Sequence, residues 1–379
     1  MNRLPVRLAL LVTALGALAL FVSACGSSDD TSPSGDATAL AFKITDEGCS
    51  PHDAEVAAGP INFEAEGDSS SVTELEILDG ETILGEKENL TEGLNGSFSL
   101  TLEEGEYTLR CNGGSEEDGT LTVTGKLKSA NSPEVEKAIA SYREYLEENT
   151  AELTTNTKPF VAAVVAGNVA EAKSLYAAAR IPYERIEPVA ESFGDLDPRI
   201  DARENDVPAS EWGGFHKIEK ALWAEGTAAG MAPVAEQLLA DVEELEAKVK
   251  KVDLQAVQIA NGANELLGEV SASKITGEEE RYSHIDLVDF KANVEGSQVA
   301  FESVEPLLSK SDPQLAKEIE ADFDKVYRTL EPYETAADPG FVLYTELTKA
   351  DTRRLAQSID TLAEKLSQVP AAIVTGEAG

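Results

Sequence analysis

Three runs in the second half of the chain carry side chains suited to holding a cation. In Tyr183-Glu184-Arg185-Ile186-Glu187 two carboxylates stand three positions apart. On a helix that spacing sets them on one face with Cβ atoms roughly 5–6 Å apart, so one cation can bridge them. Asp195, Asp197, Asp201, Glu204 and Asp206 follow closely, in a segment broken by Gly194 and Pro198. The second run, Trp212 to Trp223, contains His216 and Glu219 at i and i+3, with Phe215 and the two tryptophans placed to bury them. Inward-facing His and Glu at this spacing recur where helical bundles hold metal. The alternative is a partly buried histidine satisfied by a neighbouring acid. The third run, Gly277 to Asp286, adds Glu278, Glu279, Glu280 and His284 and could face the first two across a cleft. It also reads as a charged helix start capped by Thr276.

The ligands are mostly oxygen with one or two imidazoles, a set that favours iron or manganese over zinc or copper. A zinc protease of the usual kind is disfavoured, because no His-Glu-x-x-His is present and His216-x-x-Glu219 shows no evident third ligand and separate base. Local signatures of Ser–His–Asp or Cys–His catalysis and glycine-rich phosphate loops are also absent. Cys49 and Cys111 leave two readings open: a disulfide, the default in an exported protein, or a pair of thiolate ligands with Glu74. A blue-copper centre needs two histidines with its cysteine, and none follows Cys111 nearby.

The elements that must position these residues fall into two textures. Between Leu40 and Thr124 short β-rich segments (40–45, 61–66, 72–78, 97–102, 107–111 and 120–124) alternate with Gly-Pro, Asp-Gly and Gly-Gly turns. That pattern predicts a small sandwich over 40–125. After a linker at 126–132 the chain becomes rich in Ala, Leu, Glu and Lys at helical spacing. Ser132-Pro133 reads as an N-cap with proline in the first turn of a helix reaching about Thr155. Val234, Leu238, Leu239, Val242, Leu245 and Val249 form one apolar stripe, which needs partner helices. The helical region, 133–373, divides into similar halves near residue 252, and two packed bundles with the site between them are expected.

Composition sets the surroundings. The 379 residues carry 70 Asp and Glu against 31 Lys and Arg, a formal charge of −39. Such a surface repels phosphate backbones, which excludes nucleic acid as a partner, and concentrates cations. Arg3 and Arg7 precede an apolar run from Leu8 to Val22, too short to span a bilayer comfortably and expected to be a secretion signal over 1–24. Val22-Ser23-Ala24-Cys25 has the form of a lipobox, with Cys25 as the lipidated residue; an ordinary signal cleaved nearby is the alternative. Residues 25–39, rich in Ser and Asp, would then be a tether.

With these runs in place the chain resembles the EfeO family of iron uptake components over nearly all of its mature length. The resemblance rests on Gly48-Cys49-Ser50-Pro51, Thr73 to Leu78, Gly105-Glu106-Tyr107 with Cys111, Tyr183 to Pro188, Asp195 to Glu204, Gly214 to Leu222, and Lys274 to Glu279 with Arg281 to His284. It implies a multidomain chain, a cupredoxin-like β-sandwich followed by an all-α, imelysin-like double helical bundle. The latter is also classed as peptidase family M75 from its His-x-x-Glu motif. It further implies an iron site at Glu184, Glu187, Asp201, His216, Glu219 and Glu279. A second site, for copper or zinc, would fall on Cys49, Glu74 and Cys111. The implied partners are a membrane-embedded, EfeU-like iron permease and an EfeB-like haem peroxidase, with the chain itself expected to be exported and anchored by lipid at the outer face of the cytoplasmic membrane. Leu75 and Leu109 stand where the family often carries Trp and Met, which removes a soft ligand from the β-domain site. Three functions follow as expectations: iron capture and delivery, M75-type peptide hydrolysis at His216 and Glu219, or ferrous iron oxidation at Cys49 and Cys111.

Overall fold

Alternating apolar residues build the first region strand by strand. The computed structural model describes residues 37–80, 82–127, 132–336 and 340–377. The signal segment, Cys25, nearly all of the expected tether and most of the linker therefore lie outside the described residues. One sheet is ordered β2-β1-β4-β7, from β1 (Thr38–Thr45), β2 (Gly48–Ser50), β4 (Gly59–Asp68) and β7 (Asn95–Leu102). The other is ordered β3-β9-β8-β5-β6, from β3 (Ala54–Ala57), β5 (Thr73–Asp79), β6 (Thr82–Leu90), β8 (Gly105–Asn112) and β9 (Asp118–Thr124). The pairs β1–β4 and β3–β9 run parallel, the rest antiparallel. On β4 the period of two turns Ile61, Phe63 and Ala65 inward. Phe63 stacks on Phe98 at 5.0 Å and lies 6.4 Å from Phe42, forming the centre of the sandwich core.

The helices are α1 (Pro133–Val165), α2 (Val169–Ile186), α3 (Leu196–Asp201), α4 (Gly214–Trp223), α5 (Ala232–Val249), α6 (Ala256–Ala272), α7 (Asp286–Ser311), α8 (Pro313–Leu330), α9 (Lys349–Leu366) and α10 (Val369–Glu377). The Ser132 hydroxyl accepts from the Val135 N–H, capping α1. This helix passes the expected stop near Thr155 and continues through Pro159. Burial of Phe160, Val161 and Val164 against its neighbours offsets the hydrogen bond that proline removes. α1, α2 and α5 form one bundle and α6 to α9 the other. α2 and α7 pack together where the bundles meet. Gly296 of α7 makes that approach possible, because a Cβ there would stand 2.2 Å from the Arg185 carbonyl oxygen of α2.

The sandwich and helices pack through α6. Asn261 donates from Nδ2 to the Ser99 carbonyl at 2.7 Å, and Gln258 donates to the Leu84 carbonyl at 2.8 Å. Lys87 of β6 pairs with Glu265 at 2.6 Å.

Candidate metal centre

Glu184, Glu187, Asp201, His216, Glu219, Glu279 and Glu280 converge at the seam between the bundles, while Asp195 and Glu278 stay exposed. On α2 the stripe that buries Tyr176, Ala179, Tyr183 and Ile186 also turns Arg180 and Glu184 inward. On α7 the same logic turns in Asp286, Asp289 and Asn293. Gly214 opens α4 at φ +66°, and a Cβ there would stand 2.1 Å from the Ile200 carbonyl oxygen, so glycine lets α4 start directly against α3. Asp201, the last residue of α3, is thereby brought beside His216.

His216, 2% exposed, lies with Nε2 3.5 Å from Asp201 and 3.4 Å from Glu279. One ligand atom from each of these three residues lies within 4.8 Å of the others. His216 Nδ1 faces Glu219 at 3.4 Å, the outer-shell carboxylate that orients an imidazole toward a metal. Glu219 is itself fixed: its other oxygen accepts the N–H groups of Tyr282 and Ser283 at 2.8 and 2.6 Å. His216 Nε2 has no hydrogen-bond partner and points between two carboxylates.

Arg180 is the main feature that sequence reasoning missed. It is 0% exposed and pairs with Glu184 and Asp201, with Glu280 at 2.8 Å, Asp289 at 3.3 Å and Glu279 at 3.4 Å. Lys274 is the second built-in cation, between Glu187, Glu184 and Glu279. Lys274 thus stands between Glu184 and Glu187, the pair the sequence marks for bridging by a cation. Asn293 holds the same pair, donating at 3.0 and 2.6 Å. Arg180 stands four residues before Glu184, a spacing visible in the sequence but shared by ordinary exposed ion pairs. His284 stands outside the cluster, at φ +60° with its carbonyl accepting from the Tyr344 N–H.

Burial and these pairs set the protonation states. Burial raises the carboxyl groups of Glu184 and Glu187, with Lys274 opposing in both and Arg180 also in Glu184. Burial also acts to raise Glu279, but Lys274, His216 and Arg203 hold it well below the usual range. For His216, burial and Arg180 favour the neutral ring, yet Asp201, Glu219 and Glu279 outweigh them and push its pKa up to about 9. The imidazole is therefore a cation at neutral pH and must release its proton before Nε2 can ligate.

In the β-sandwich Cys49 and Cys111 are joined in a disulfide. Of the two readings the sequence left open, this one leaves no thiolate for a metal. Glu74 accepts from Asn112 Nδ2, which also donates to Glu76.

Comparison with known proteins agrees with this architecture. The imelysin family (peptidase M75) matches residues 138–369, and the cupredoxin-like domain matches residues 12–123. Iron uptake system component EfeO of Escherichia coli K12 is 39% identical over 363 residues, covering 93% of this chain and 96% of its own length. EfeO of Shigella sonnei strain Ss046 aligns with the same figures. This chain belongs to the EfeO family. As in that family, a cupredoxin-like sandwich precedes an imelysin helical domain, and the chain is an iron uptake system component. No helix among the described residues is long and apolar enough to cross a membrane.

Proposed function

We propose that this EfeO-family chain captures iron outside the cytoplasm at Asp201, His216 and Glu279. The observation that carries the reading is a buried imidazole nitrogen without a hydrogen-bond partner, aimed between two buried carboxylates within one ion's reach. Glu219 orients the imidazole, while Glu184 and Glu187 form an outer carboxylate wall neutralised by Arg180 and Lys274. Seven carboxyl groups, Glu184, Glu187, Asp201, Glu219, Glu279, Glu280 and Asp289, surround three permanent cations, Arg180, Lys274 and Arg203, and the His216 imidazolium. An oxygen-rich donor set with one imidazole favours a hard or borderline multivalent cation.

The captured ion then passes to an EfeU-like permease, with an EfeB-like haem peroxidase as the further partner. Lipid on Cys25 would hold the chain at the outer face of the cytoplasmic membrane. Binding is favoured over M75-type hydrolysis because both oxygens of Glu219 are engaged, leaving it no freedom as a general base. Ferrous oxidation at the cysteines is disfavoured by their disulfide.

Calorimetric titration of the full chain tests the reading, with iron(II) under argon and with iron(III) supplied as its nitrilotriacetate complex. Saturable binding to one site, lost in Asp201→Asn and Glu279→Gln, is expected. Binding unaffected by both substitutions would place the site elsewhere.

A further inference from the structure

The three candidate ligands are at most 9% exposed, so an ion needs a route to them. A cavity of about 290 Å³ lies between β6 of the sandwich and α6 of the helical domain and reaches Asp201 and Glu279 at its inner end. Its outer walls carry Glu86 and Glu88 from β6 and Glu265 and Glu269 from α6, so both domains contribute carboxylates. Two cationic side chains line it, Lys274 and Arg203. Lys274 is 4% exposed and sits deep, against Glu187 and Glu279.

Arg203 is placed differently. It follows α3 in irregular backbone, and its guanidinium reaches three carboxylates of graded exposure. Asp206, 44% exposed, accepts from Nε at 3.0 Å; Glu269, 24% exposed, lies 3.6 Å from Nη2; Glu279, 4% exposed, accepts from Nη1 at 3.1 Å. The side chain therefore lies on the solvent side of a candidate ligand and links it to the cavity wall. The backbone beside it is anchored, since the Trp212 indole N–H donates to the Ala202 carbonyl at 2.8 Å. Motion of Arg203 then needs only side-chain rotation.

We propose that cations reach the buried site through the cavity between β6 and α6, and that Arg203, spanning Glu279, Glu269 and Asp206, is the gate across its inner end. The guanidinium swings outward onto Glu269 and Asp206 to let an ion pass and returns to Glu279 Oε2 behind it, while the ion takes Oε1, the oxygen that faces His216. Arginine suits this task because its fork holds several carboxylates at once, whereas a lysine ammonium is a point charge on a flexible stem. This inference rests on the iron-binding reading above.

Stopped-flow mixing of the full chain with iron(II) under argon, and separately with iron(III) nitrilotriacetate, tests it, using tryptophan fluorescence with Trp212 beside the gate. Arg203→Lys keeps the charge and loses the fork. It is expected to speed association and dissociation by the same factor, on the order of tenfold, the kinetic equivalent of one charge-assisted hydrogen bond, with Kd unchanged. Glu86→Gln, on the same cavity wall, should slow association and leave dissociation alone. Thermal melting of both variants checks that they fold as the wild type does. Wild-type rates in Arg203→Lys, or a changed Kd with unchanged dissociation, would overturn the gate while leaving the binding site standing. Absence of saturable binding in the wild type would remove the site and the gate together.

Discussion

Replacing Arg180 by methionine removes the positive charge at the centre of the cluster while keeping a long apolar stem. Its closest partners, Glu184 and Asp201, have side chains 0% and 8% exposed, so neither can turn to water for compensation. Breaking a buried pair by removing one partner costs about 3–5 kcal/mol. Lys274 remains 3.7 Å from Glu184 and His216 remains 3.5 Å from Asp201, which limits the loss. Glu280 and Asp289 lose their arginine as well, which pushes the other way. A loss of roughly 4 kcal/mol near pH 7.5 is therefore expected. The sign of its pH dependence follows from the carboxyl groups. Burial already raises those of Glu184, Glu280 and Asp289, and Arg180 opposes that rise in each. Without the arginine their folded-state pKa values climb further above the unfolded ones. The deficit is then largest at high pH and shrinks as pH falls and the carboxylates protonate. Guanidinium denaturation followed by circular dichroism, at about pH 5.5 and about pH 7.5, measures both quantities if the m value is unchanged. A loss below about 1 kcal/mol, the range of an exposed pair, or an equal loss at both pH values, would refute this reasoning.

Two further outcomes follow from the geometry. Because the His216 pKa is raised to about 9, each ion bound through Nε2 displaces one proton at neutral pH. Iron affinity should rise by about tenfold per pH unit up to that value, checked by titration across pH, and a flat profile would rule out imidazole ligation. Gly296→Ala would set a Cβ 2.2 Å from the Arg185 carbonyl oxygen and force α2 and α7 apart. It should lower stability by about 1–3 kcal/mol and weaken iron binding, and a melting temperature equal to wild type would show that the seam can yield.

Much of the architecture was readable because it depends on local pattern. Period-two alternation marked β4, β7 and β9, and Ser132-Pro133 marked the start of α1. β6 escaped notice because its sequence, TILGEKENL, lacks alternation. Part of it meets α6, through Leu84 and Lys87, in place of solvent. β2 and β3 are too short to show a period. At the site, Glu184, Asp201, His216 and Glu279 stood out as acids and a rare histidine clustered in sequence. Arg180 and Lys274 did not, since in a chain of charge −39 a basic residue beside acids looks like a solvated surface pair. Asp289 and Asn293 lay outside every motif, and only the packing of α7 on α2 delivers them.

The central claim is that one iron ion sits among Asp201, His216 and Glu279. Anomalous diffraction at the iron edge, from crystals of the full chain soaked in iron, tests it most directly. A single strong peak within bonding distance of His216 Nε2 and of one oxygen from each carboxylate is the outcome expected. A peak beside Glu74 in the β-sandwich, or on the exposed acids alone with the buried site empty, would contradict it.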